Sequence, residues 1–69
     1  MKIDLHGVKH AEVSRKLDVF LWNAMQRGNK NVEVITGISH KMKELVKETC
    51  KDYGFNVIDL HVGSLLVEI

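Results

Sequence analysis

The run Ile3-Asp4-Leu5-His6-Gly7 sets a carboxylate and an imidazole on alternate positions, and its core returns near the far end of the chain as Ile58-Asp59-Leu60-His61. Alternation of this kind belongs to a strand, where side chains two apart share a face. Asp4 and His6 are therefore expected on one side, with Ile3 and Leu5 anchoring the other. An imidazole ionises near neutrality, at a pKa of about 6.5, and a neighbouring carboxylate can orient it for proton transfer. The same pair can bind a metal, or can simply be a solvated strand face. Asp59 and His61 repeat the pattern without its following glycine. A joint metal site would need convergence from separate strands, and no His or Cys set has zinc-ligand spacing, so no metal ligand is assigned.

A second group is Thr36-Gly37-Ile38-Ser39-His40-Lys41, immediately before a strongly amphipathic stretch. If a helix starts there, its free N–H groups and positive dipole end favour an anion, and Ser39, His40 and Lys41 add donors. The stretch itself carries Lys43, Lys47 and Lys51 in a row four residues apart, neutralised by Glu44, Glu48 and Asp52, as in a solvated helix face. Cys50 falls in the apolar stripe and is expected to be a buried, inert thiol.

The elements that position these groups follow from periodicity. Apolar residues at Val13, Leu17, Phe20, Leu21 and Ala24 mark one face of a helix over roughly Lys9 to Arg27. Met42, Leu45, Val46, Thr49, Cys50 and Tyr53 mark a second, with Leu45 near the stripe's centre and Ser39 as N-cap. Strands are expected at Ile3–Leu5, around Val32 to Ile35, at Val57–Val62 and at Leu65–Ile69, and the five glycines fall where one pattern gives way to the next. The expected fold is an α/β two-layer sandwich of order βαβαββ: a mixed four-stranded sheet with both helices on one face. The last strand can lie outside the third or between the second and third, giving order 1-2-3-4 or 1-2-4-3. In either case His6-Gly7, Thr36–His40 and His61–Ser64 gather at the edge where the parallel strands end, the usual place for a site in an open α/β sheet.

Composition narrows the function classes. The chain has 69 residues, 45% hydrophobic and 28% charged, which fits a single domain over residues 1–69. One cysteine excludes an internal disulfide and fits a reducing compartment. There is no apolar run of membrane-spanning length and no signal-like N-terminal run, so a cytoplasmic protein without membrane contact is expected. Ten basic against nine acidic residues leave a net charge of +1. Long-range steering toward nucleic acid is therefore weak, and phosphate affinity must come from local geometry.

IDLHG at residues 3–7, followed by an amphipathic helix and then VITG at 34–37 with His40 close behind, resembles the small MutS-related (Smr) domain, with its LDLHG-type and TGxG-type motifs. The resemblance covers essentially the whole chain. It implies a sandwich like the C-terminal domain of translation initiation factor three, and binding of RNA or DNA with endonuclease activity in some members. By the motif match Asp4 and His6 are the catalytic candidates and Thr36 and Gly37 lie in the substrate-contacting loop. With the neighbouring loops, the expected nucleic-acid contacts are Gly7, Thr36, Gly37, Ser39, His40, Lys41, Gly63 and Ser64. The chain departs from the family where Ser39 replaces a second glycine, where the segment from Gly37 to His40 is a residue short, and where a glycine-rich run is reduced to Gly63-Ser64. No cofactor is required by the residues, although Mg²⁺ held through Asp4 is compatible with them. A non-catalytic module that binds nucleic acid or protein is the alternative function.

Trp22 falls nearly opposite the centre of the Val13, Leu17, Ala24 stripe, with Val19 beside it. An outward Trp-Val pair is a candidate contact for a protein partner, for a second copy or for a base. A ring folded against its own helix would look the same in sequence.

Overall fold

The computed structural model describes residues 1–69, with strands β1 (Lys2–Asp4), β2 (Asn31–Ile35), β3 (Asn56–His61) and β4 (Ser64–Glu68), and helices α1 (His10–Gln26) and α2 (His40–Tyr53). The order is βαβαββ, as expected. The four-stranded sheet runs β1-β2-β4-β3. β1 is parallel to β2, while β4 is antiparallel to both β2 and β3. Hence β1, β2 and β3 point the same way, and their C-terminal ends share one edge.

Of the two sheet orders left open by sequence, the structure adopts the one with β4 between β2 and β3. β4 contributes Leu65 and Val67, both fully buried, and takes the interior place. β3 lies at the edge and leaves Ile58 and Leu60 exposed.

One core unites Leu5, Val13, Leu17, Leu21 and Ala24 with Val32, Val34, Met42, Val46, Cys50, Leu65 and Val67. Because residues of both helices and of the central strands belong to a single cluster, both helices cover the same sheet face. The other face is open and is crossed by rows such as Lys2, Glu33, Leu66 and Ile58. Burial pushes the Cys50 thiol up from 9.0 to about 11, as expected for an unreactive interior cysteine.

The α2 stripe departs from its expected pattern at two positions. Leu45 is only partly buried, and Val46 occupies the centre of the helix's core face. Tyr53 is exposed, with its ring stacked on Phe55 at 5.2 Å and its hydroxyl donating to Asp18 Oδ1 at 3.0 Å, so it ties the helices together from outside. Gly54 ends α2 with a φ of 77°, and its N–H and that of Phe55 satisfy the carbonyls of Lys51 and Cys50. No helix is long and apolar enough to cross a membrane.

Candidate nucleic-acid interface

The edge at which β1, β2 and β3 end is assembled from three turns. β1 proper stops at Asp4, but Leu5 is fully buried and its N–H donates to Ile35 O at 2.8 Å, so the chain leaves the sheet only at His6-Gly7. There Asp4 Oδ1 accepts the backbone N–H of His6 at 2.9 Å. An aspartate bonding the main chain two residues on is a turn-forming device. Asp4 thus fixes the turn from which His6 projects, whereas the sequence suggested a carboxylate gripping the imidazole.

The His6 ring lies against Gly37. A Cβ at position 37 would come within 2.7 Å of His6 Cδ2, and Gly37 also has a φ of +70°. Both the close approach and the left-handed backbone require glycine. Gly63 abuts this residue from the other side, where a Cβ would lie 3.5 Å from Gly37 Cα. The carbonyl of Gly63 accepts the N–H groups of Thr36 at 2.8 Å and Gly37 at 3.0 Å. The β2–α2 and β3–β4 turns are therefore locked together, with the imidazole against the Gly37 side of the contact.

The hydroxyls of Thr36 and Ser39 are engaged within the fold, and that of Ser64 is buried. Thr36 is only 1% exposed, and its hydroxyl lies 2.9 Å from Gly37 O and 3.3 Å from Gly63 O. Ser39 Oγ accepts the Met42 N–H at 3.1 Å, as an N-cap. Ser64 is 4% exposed and its hydroxyl has no partner. Ser39 thus takes the N-cap role expected of it, and Thr36 and Ser64 are buried. His40 is turned outward with its Nε2 3.1 Å from Glu44 Oε1. Lys41 is exposed, and the N–H groups of His40 and Lys41 have no protein acceptor. The groups left open at the edge are His6, Gly7 and the first residues of α2.

Sequence reasoning placed Lys43 in a row with Lys47 and Lys51 that could track a phosphate backbone, and preferred a solvated helix face for it. Its ammonium donates to the Val62 carbonyl in the β3–β4 turn. The available signal was its place in the first turn of α2, four residues after the N-cap. Lys47 in the same row lies 3.9 Å from Asp59 Oδ1.

The two Asp/His runs do not form a joint site. Asp59 is paired with the buried Leu65 and so faces the helices, whereas Asp4 belongs to the open-face row with Ile35 and Ser64. The strands that carry them are three spacings apart, about 14 Å. No three His, Cys, Asp or Glu side chains converge.

On the outer face of α1, Trp22 is 57% and Val19 58% exposed, as the helical periodicity suggested. Val19 also lines a groove of about 590 Å³ between α1 and β1, with Ile3, Phe20, Arg15, Lys16 and Asn23.

Compared with curated proteins and with solved structures, the chain has no match to either. The sequence model of the Smr domain matches residues 3–64. That span takes in the His6 turn, the Gly37 loop and the Gly63-Ser64 turn. The chain belongs to the Smr domain family.

Proposed function

We propose that this domain binds a nucleic-acid strand across the edge formed by Gly7, Gly37 and Gly63, and that His6 moves the proton in cleavage of a phosphodiester. The observation that carries the reading is the His6 imidazole packed against Gly37, in the loop that leads into the open N-terminal N–H groups of α2. His6 takes a proton from the attacking oxygen or gives one to the leaving oxygen. Asp4 holds the turn through the His6 N–H. The start of α2, with Lys41, attracts the phosphate. The donor set makes no metal centre by itself.

A second reading, binding without cleavage, draws support from the committed hydroxyls of Thr36 and Ser39 and from the Asp4 carboxylate being bonded to backbone. One experiment separates the two. Labelled single- and double-stranded RNA and DNA are incubated with wild type and His6→Ala, with and without Mg²⁺. The nuclease reading expects wild-type cleavage that falls by about 100-fold or more in His6→Ala, with affinity changed less than about threefold. Binding without cleavage under every condition leaves the adaptor. Absence of any binding at low salt removes both.

A further inference from the structure

Lys43 is the one charged side chain hydrogen-bonded into the junction of turns. Its Nζ donates to Val62 O, the carbonyl immediately before Gly63. Gly63 in turn abuts Gly37 and accepts the Thr36 and Gly37 N–H groups. The ammonium is therefore fixed next to Gly63, which packs on the Gly37 that the His6 ring touches. An ammonium has three N–H donors and the Val62 carbonyl uses one. No carboxylate pairs with Lys43, whereas His40 is paired with Glu44 and Lys47 with Asp59. Lys43 is half-buried, whereas Lys41 is exposed.

We propose that Lys43 is the phosphate-binding cation of the site: it anchors the β3–β4 turn through Val62 and presents its remaining donors to a backbone phosphate at the Gly37–Gly63 junction. This rests on the nucleic-acid reading above and narrows it. The ligand group recognised is the phosphodiester, common to RNA and DNA, so the contact carries no base preference. The charge that matters is this single positioned one, in keeping with a chain whose net charge is only +1.

The test is the salt dependence of affinity for a labelled single-stranded oligonucleotide, by fluorescence anisotropy, for wild type, Lys43→Met, Lys43→Gln, Lys43→Arg and Lys47→Met. Each phosphate neutralised contributes about 0.7 to the slope of log affinity against log salt for a single strand. Lys43→Met and Lys43→Gln should each lower the slope by about that amount and weaken binding by about tenfold at low salt. Lys43→Gln keeps a donor for Val62, so its loss reports charge even if the methionine variant fails to fold. Lys43→Arg should keep the wild-type slope, and Lys47→Met should change affinity less than about twofold. An unchanged slope in Lys43→Gln, or an equal loss in Lys47→Met, overturns the proposal. If wild type binds no oligonucleotide, the nucleic-acid reading falls, and Lys43 is judged with inorganic pyrophosphate. Amide shifts at Gly37 and Gly63 that vanish in Lys43→Gln support a phosphate site, and their absence in wild type overturns it.

Discussion

His6 owes its placement to a glycine on another strand's turn as much as to its own segment. A methyl group at Gly37 would meet the imidazole at 2.7 Å and would also have to adopt a φ of +70°. Gly37→Ala should therefore cost ~1–2 kcal/mol through the backbone alone and displace the His6 ring as well. The check pairs a urea midpoint with the NMR shifts of the His6 ring protons; an unmoved ring would refute the packing. Ser64 makes the opposite case. A buried hydroxyl without a partner costs ~1–3 kcal/mol, so Ser64→Ala should leave stability unchanged or raise it, with oligonucleotide affinity unaffected. A lowered melting temperature would show that Ser64 has a partner after all. At this scale the sequence disclosed residue types but not their commitments. IDLHG announced a carboxylate near an imidazole, yet whether Asp4 bonds a ring or a backbone N–H depends on the turn geometry after Leu5.

At the scale of elements, most boundaries could be read directly. Helices and strands begin and end within a residue or so of the periodic patterns, because glycines and the Ser39 cap act locally. Sheet order depends on pairing between distant segments, so strand patterns alone did not decide it: β3 and β4 each carry three apolar residues. The core face of α2 was legible to within one position. Val46 is fully buried where Leu45 is only partly so. Val46→Ala should thus destabilise the domain by ~2–3 kcal/mol, and Leu45→Ala by about half as much despite losing the larger side chain. Urea midpoints for the two variants test the assignment. A greater loss in Leu45→Ala would mean that α2 is rotated about its axis. The β3–β4 turn was harder to anticipate, since its tie to α2 is a lysine reaching a carbonyl 19 residues away.

Across the whole molecule, one face of the sheet is covered, the other is open, and the turns gather at one edge. Trp22 lies apart from that edge on the outside of α1 and serves as an internal control for what counts as a site. Its emission should be red-shifted and readily quenched by iodide, and Trp22→Ala should change stability by less than ~0.5 kcal/mol. A blue-shifted, protected Trp22 in the monomer would contradict the exposed face. The central claim is that nucleic acid meets the protein where His6 lies against Gly37. The most direct measurement is a map of backbone amide shifts as a short single-stranded oligonucleotide is added at low salt. The account predicts that the largest shifts fall on Gly7, Gly37 and Gly63, with the Trp22 face unmoved. Shifts confined to Val19 and Trp22, or to the open-face residues Ile58 and Leu66, with Gly37 and Gly63 unchanged, would contradict it.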